Sequence, residues 1–245
     1  MLSIFSKKKV LGNFEFIGTD LHNHIIPGLD DGAQTINDSI YLLQGLQALG
    51  YKKVICTPHV LGNIYPNNPS TILPAFKLLQ QAIIEHNLNL DLEAGAEYMA
   101  DEFFVEMVQQ KKSLLTFGNH KYILIEMSYL AASPYLEECV FQLILDGYQP
   151  ILAHPERYNY YHKQPEKYVL WKEKGCWLQL NALSLTGYYG KHVKQAAEKL
   201  LEAQLIDLLG TDMHHAQHLE ALQYLCTTNN YKLLAQYPHF KNTLL

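Results

Sequence analysis

Apolar residues fall in short runs, and each run is followed by a stretch with helical spacing. Residues 15–22 alternate and pass from apolar to polar, which predicts a strand. Ile36, Ile40, Leu43 and Leu46 follow at helical spacing, with Thr35 as the cap, Asp38 three residues later as its weak partner and Gly50 as the stop. A second strand is predicted at 53–57. The pattern then repeats, with strands near 88–96, 121–127, 149–154, 176–181 and 205–211 and helices near 70–86, 100–111, 134–146, 165–174, 190–203 and 215–228. Strict alternation of seven such units implies a parallel sheet. Polar residues suited to chemistry follow most of the strands, which favours a closed barrel over an open sheet, where they would gather at one switch point. No repeat, low-complexity tract or linker interrupts the alternation, so a single domain over 1–245 is expected. The longest irregular stretch, 60–69, is either a mobile flap over a site or an ordinary surface loop.

The strand ends carry the chemistry. Asp20-Leu21-His22-Asn23-His24 runs on to Asp30-Asp31-Gly32, and further strands end near His59, Glu97, Glu126, His154 and the Asp212/His214 pair. Imidazoles and carboxylates are ligands of divalent ions such as Zn, Mn and Fe(II). There are enough of them for more than one ion, which points to a multinuclear hydrolytic centre. His22 and His24, two apart on an extended segment, point to the same side. Of the adjacent acids only one can easily face inward, so Asp31 is the candidate and Asp30 bonds backbone or caps the turn. The small residues before Glu97 fit a close backbone approach. Glu126 ends an apolar run, where a carboxylate has to be paired or coordinated. Arg157, three residues beyond His154, suits bidentate recognition of phosphate oxygens, the alternative being a structural ion pair with Glu156 or another acid. Asp212-Met213-His214 repeats the alternation of His22 and His24, and His215 is expected to point away. His86, His218 and His239 are expected at the surface, and His120, His162 and His192 in loops without a catalytic part. Tyr158, Tyr160 and Tyr161 either line a pocket or pack on the barrel wall.

A length of 245 residues fits one (β/α) barrel, and a net charge of −5 argues against a nucleic-acid partner. Cys56, Cys139, Cys176 and Cys226 form no C-x-x-C pair and read as buried small hydrophobes in a reducing cytosol. None is followed five residues later by an arginine, so the cysteine-phosphatase signature is absent. The basic run Lys7–Lys9 lacks an apolar region after it, so it is no secretory signal and reads as a solvated tail, the alternative being a weak membrane-surface contact. No stretch of 18 apolar residues exists, so no membrane insertion is expected and a cytoplasmic location is.

The motifs resemble the polymerase-and-histidinol-phosphatase (PHP) superfamily. More closely, they resemble the bacterial metal-dependent tyrosine phosphatases of capsule and exopolysaccharide loci. The residues concerned run from Asp20 to Gly32, then Thr57-Pro58-His59, Gly95-Ala96-Glu97, Glu126, His154-Pro155-Glu156-Arg157 and Thr211-Asp212-Met213-His214, over roughly 16–230. The resemblance implies a distorted (β/α)7 TIM-like barrel holding two to three divalent ions, of Mn, Fe or Zn. It assigns His22, His24, Glu97 and Asp212 to one ion, and Glu97, Glu126 and His154 to a second with Glu97 bridging. Asp31, His59 and His214 are assigned to the third. Many relatives carry a second histidine after the TPH segment, whereas here Val60 follows His59. The implied reaction is hydrolysis of phosphotyrosine by metal-activated hydroxide, with Arg157 neutralising phosphoryl oxygens and Asp212 or a coordinated water protonating the phenolate. The implied partner is a tyrosine-autophosphorylated kinase or its tail. Three competing readings are a PHP phosphatase of a small ester such as histidinol phosphate, a nuclease-type domain and a non-catalytic metal-binding scaffold. They are disfavoured respectively by the DDG opening and modest length, by the acidic charge, and by the complete ligand set with Arg157.

Overall fold

A computed structural model describes residues 9–245, so Lys7 and Lys8 of the basic run lie outside the described residues. The strands are β1 (Thr19–Asp20), β2 (Lys53–Cys56), β3 (His59–Val60), β4 (Asp91–Ala94), β5 (Glu97–Met99), β6 (Tyr122–Glu126), β7 (Gln149–Ala153), β8 (Trp177–Asn181) and β9 (Leu208–Gly210). All pair in parallel, in the orders β1-β2-β4 and β3-β5-β6-β7-β8-β9. The two sheets continue each other, because β2 and β3 are one extended segment broken at Thr57-Pro58 and β4 and β5 are one broken at Gly95-Ala96. Proline has no N–H for a ladder, but Pro58 still accepts from the Glu97 N–H at 3.0 Å, which carries the pairing across the break. In hydrogen-bonding order the strands therefore fill seven parallel positions. The last meets the first where the Asp212 N–H donates to the His22 carbonyl (2.7 Å) and the His24 N–H to that of Met213 (2.8 Å). At the opposite end the buried Asn242 side chain donates to the Thr19 and Leu209 carbonyls and accepts from the Leu209 N–H, joining β1 to β9.

Helices α1 (Ile36–Ala48), α2 (Pro69–Glu85), α3 (Glu102–Gln109), α4 (Leu136–Leu145), α5 (Pro165–Glu173), α6 (Lys191–Glu202) and α7 (Ala216–Leu225) follow successive sheet positions. The first is set by the expected box: Thr35 Oγ1 accepts from the Asp38 N–H (3.2 Å), and Asp38 Oδ2 accepts from the Thr35 N–H (2.9 Å). Gly50, at φ +95°, takes the left-handed conformation that ends it. Thr35→Ala is expected to cost about 1 kcal/mol, measured as a shift in urea midpoint at unchanged slope.

Three expectations are corrected. Residues 14–18 form a tight turn rather than the start of a strand, with the Gly18 N–H bonded to the Phe14 carbonyl at 3.0 Å and Gly18 at φ +70°. The apolar alternation there reflects Phe14 and Ile17 both turning into the core. The strand expected at 88–96 is split, so Glu97 opens β5 instead of trailing β4. The helix expected at 215–228 stops at Leu225 because Thr227 and Thr228 bond its last carbonyls with their hydroxyls, and an unforeseen helix α8 (Asn229–Ala235) follows.

Strand parity divides the core. Ile123, Ile125, Leu152, Leu180 and Leu209 pack outward under the helices, whereas Leu124, Ile151, Ala153 and Leu208 form an inner cluster with Leu21 and Ile55. Glu126 shares parity with Tyr122 and Leu124 on β6, so it falls on the inner side, above that apolar floor. All four cysteines are free and buried, and no helix among the described residues is long and apolar enough to cross a membrane.

Candidate metal centre

The nine candidate ligands, scattered from residue 22 to residue 214, meet at one end of the sheets. Register does much of this. Residue 59 of β3 pairs with Glu97, and Met99 at the end of β5 pairs with Glu126. Glu97 sits in the middle with no solvent exposure. Its Oε1 lies 3.1 Å from His22 Nε2 and 3.3 Å from His154 Nε2, and its Oε2 lies 3.0 Å from His59 Nδ1 and 3.5 Å from His24 Nε2. Neither oxygen accepts a hydrogen bond. A buried carboxylate left in this state is costly, and four imidazoles converging without hydrogen-bond geometry is the arrangement of ligands around a shared cation. The donor set therefore fits divalent metal.

Four groups have ligand atoms close enough to hold an ion: His22/His24/Asp212, His22/Glu97/His154, His59/Glu97/Glu126 and His24/Asp31/His59/His214. His59 straddles two of them. Its Nδ1 faces Glu97 and Glu126 (3.1 Å to Oε1), while its Nε2 faces Asp31 at 3.6 Å. Asp212 Oδ1 lies 3.3 Å from His22 Nε2 and 3.4 Å from His24 Nε2. Asp31 is the open member, with a side chain 55% exposed, and lies 3.5 Å from His214 Nε2. His154 (φ +34°) and Asp212 (φ +50°) both hold left-handed backbone, a conformation that costs free energy and gathers at functional sites.

A second layer aims these ligands. His22 Nδ1 donates to Gln179 Oε1 (2.8 Å), His24 Nδ1 to Asp30 Oδ2 (2.8 Å) and His214 Nδ1 to the Asp212 carbonyl (2.9 Å). Each bond leaves Nε2 free to face the cluster. Asp30 does bond backbone, accepting from the Gly32 and His59 N–H groups. Asp20 accepts from both the N–H and the hydroxyl of Thr211 and from Asn23, locking the last strand's end to the first. Burial pushes its carboxyl up to about 6. Gly32 is dictated by space, since a Cβ there would sit 2.0 Å from the His24 carbonyl oxygen. Gly32→Ala is expected to destabilise the protein by about 1–3 kcal/mol and to reduce retained metal, read by thermal unfolding and elemental analysis.

The carboxylates draw positive charge. Burial opposes ionisation of Glu97 and Asp212, but the neighbouring imidazoles outweigh it and hold both well below the usual carboxylate range. Burial and the adjacent His24 oppose a charge on His59, yet Glu126 and Glu97 push it up to about 10. Divalent cations can take the place of those protons. An anionic Asp212 suits a ligand.

Arg157 is the chain's only arginine. Its Nη1 lies 2.6 Å from Asp212 Oδ2, and its guanidinium is stacked between the rings of Tyr129 (4.3 Å) and Tyr189 (4.1 Å). The ion pair foreseen as the alternative is therefore present, with Asp212 as the acid and not Glu156, whose buried carboxylate accepts from Ser184 and the Asn181 N–H. Tyr158 is core, its hydroxyl bonded to Met127 and Ala153, and Tyr161 packs on Trp171. Tyr129 and Tyr189, which the sequence did not single out, form the aromatic walls. His218, expected at the surface, is buried and its Nδ1 accepts from the His214 N–H. Gln179 was also missed. An amide at an inward position of an apolar strand was its one signal.

Above these groups opens a cleft of about 640 Å³, bordered by the 60–69 loop and the loop after β6. The former is a tight turn closed by reciprocal Leu61–Tyr65 backbone bonds and tied down by Asn67, whose amide donates to the Leu29 and His59 carbonyls.

A family model described as capsular polysaccharide synthesis, CpsB/CapC, matches residues 18–231. The chain is 34% identical over 200 residues to tyrosine-protein phosphatase YwqE of Bacillus subtilis, covering 81% of this chain and 78% of the relative. It is 26% identical to tyrosine-protein phosphatase CpsB of Streptococcus agalactiae, covering 80% and 82%. Its fold matches a structure from work on YwqE from Bacillus subtilis and CpsB from Streptococcus pneumoniae, described as unique metal-dependent tyrosine phosphatases. That match has a TM-score of 0.77 at 31% identity over 91% of this chain and 94% of the other. Histidinol phosphate phosphatase from Lactococcus lactis matches with a TM-score of 0.55 at 15% identity over 85% and 92%, a likeness of fold alone.

Proposed function

The chain belongs to the CpsB/CapC family of capsular polysaccharide synthesis proteins, and on that premise we propose that it is a metal-dependent protein-tyrosine phosphatase of one domain. The observation that carries this reading is Glu97, with two buried oxygens free of hydrogen bonds and four imidazoles turned on them. His22, His24, Glu97 and Asp212 would hold one ion, Glu97, Glu126 and His154 a second, and Asp31, His59 and His214 a third. Divalent ions at such positions supply Lewis acidity that stabilises charge on phosphoryl oxygens and makes hydroxide available near neutral pH.

The protein's own groups do the rest. Arg157, clamped by Asp212 and two tyrosine rings, presents a pre-oriented cation to the non-bridging oxygens at no cost of reorganisation. Asp212 serves both sides, turning Oδ1 to His22 and His24 and Oδ2 to Arg157 and Asn181. Glu97, Glu126 and Asp212 are buried beneath the cleft, whereas Asp31 stays open to it. The leaving phenolate, of pKa about 10, needs little help in departing, which accords with an anionic Asp212. The proposed substrate is a tyrosine-phosphorylated kinase, or its tail, in capsule or exopolysaccharide synthesis.

Purified protein is expected to release phosphate from a phosphotyrosyl peptide and far less from histidinol phosphate. Dialysis against a chelator should abolish the activity, and divalent ions, Mn, Fe or Zn, should restore it. Turnover that survives complete metal removal, or faster release from histidinol phosphate, would overturn the proposal.

A further inference from the structure

The cleft has a polar floor and an apolar rim. Asp31, His59, Glu126, Arg157, Asp212 and His214 form its floor, whereas Leu61, Ile64, Tyr65, Met99 and Leu130 stand around its edge. The rim comes from two separate loops with β5 between them: β3 leads into the Ile64 turn, β6 into the Leu130 loop, and Met99 closes β5. Ile64 is 68% exposed and Leu130 94% exposed. A lone exposed aliphatic is ordinary, but several bordering one cleft mark a contact surface. Both loops are held in place. Asn67 ties down the first, and the Tyr160 hydroxyl donates to the Ser128 carbonyl in the second. Apolar groups presented on fixed backbone lose little entropy when they are covered.

Charge narrows the occupant. Of 19 basic residues in the chain, Arg157 alone lines this cleft among the described residues, and it already faces Asp212. One arginine beside a metal cluster matches a single phosphomonoester. No lysine or second arginine lines the cleft among the described residues, and the exposed His215 at its edge is held from protonation by partial burial and by the neighbouring His214.

Resting on the phosphatase reading above, we propose that Ile64 and Leu130 are specificity-determining contacts. They receive apolar side chains flanking the phosphotyrosine of a polypeptide substrate, and the cleft discriminates against acidic flanks. The flanking residues lie over the rim while the phosphoryl group reaches the floor. Covering two partly exposed aliphatics corresponds to a preference of about tenfold or more.

Two phosphotyrosyl peptides alike except for leucine or glutamate on both sides of the phosphotyrosine test this, with p-nitrophenyl phosphate as a small aryl ester without flanks. The wild-type protein is expected to favour the leucine peptide about tenfold in kcat/KM, mainly through KM. The doubly substituted Ile64→Ser/Leu130→Ser protein should bring the ratio of the two peptides close to one. Both side chains project into solvent, so folding should hold, checked by thermal unfolding. Equal turnover of the peptides by the wild type, a preference for the glutamate peptide, or an unchanged ratio in the variant would each overturn the proposal while hydrolysis of p-nitrophenyl phosphate leaves the phosphatase reading standing. Failure to hydrolyse any of the three would overturn both.

Discussion

Glu97→Ala is expected to remove phosphotyrosine hydrolysis by at least about 10³-fold, several kcal/mol of transition-state stabilisation, and to lower the bound metal by at least one ion per chain. Glu97 lies within 3.5 Å of four imidazoles drawn from three sheet positions, and each of its oxygens serves two of them. Any single histidine has neighbours that partly replace it, whereas no other carboxylate reaches His22, His24, His59 and His154 together. The side chain points into the cluster and makes no hydrogen bond to the scaffold, so its loss should leave far-ultraviolet circular dichroism unchanged. Elemental analysis and phosphate release on the same sample decide the matter. Full activity in the variant would sink the site assignment.

Arg157→Ala is expected to slow turnover by about 10²–10³-fold with metal content unchanged. The guanidinium touches Asp212 through Oδ2 only, while Oδ1 of the same carboxylate faces His22 and His24. Removing the arginine therefore leaves the ligand oxygen in place. Arg157→Lys should recover little, because an ammonium lacks both the planar fork for phosphoryl oxygens and the flat faces stacked on Tyr129 and Tyr189. If the alanine variant instead lost metal, Arg157 would be a support for Asp212 and not a contact for substrate.

Much of this was legible in the sequence, for physical reasons that differ by residue. Glu126 announced itself because no uncompensated carboxylate belongs in Tyr122–Glu126, all of it buried. The Thr35/Asp38 cap is a local pattern and needs only a few consecutive residues. The choice between Asp30 and Asp31 was foreseeable because two adjacent side chains cannot both face one point. By contrast, His218 looked like any exposed helical histidine, and its burial follows from how α7 packs beneath the 212–214 turn. Tyr129 and Tyr189 act as walls only because residue 157 comes between them. The turn at 14–18 imitated a strand, since two core contacts at short spacing look alike in either conformation.

The order of donors at strand ends, the strand–helix alternation and the family are properties of the chain read in one dimension, because periodicity and local motifs are set by neighbours a few residues apart. Which oxygen faces which imidazole, and that Arg157 turns to Asp212, 55 residues away, rather than to Glu156 beside it, was decided by the tertiary structure. Strand register and the left-handed turns at His154 and Asp212 fix those directions, and no local pattern encodes contacts between residues so distant in the chain.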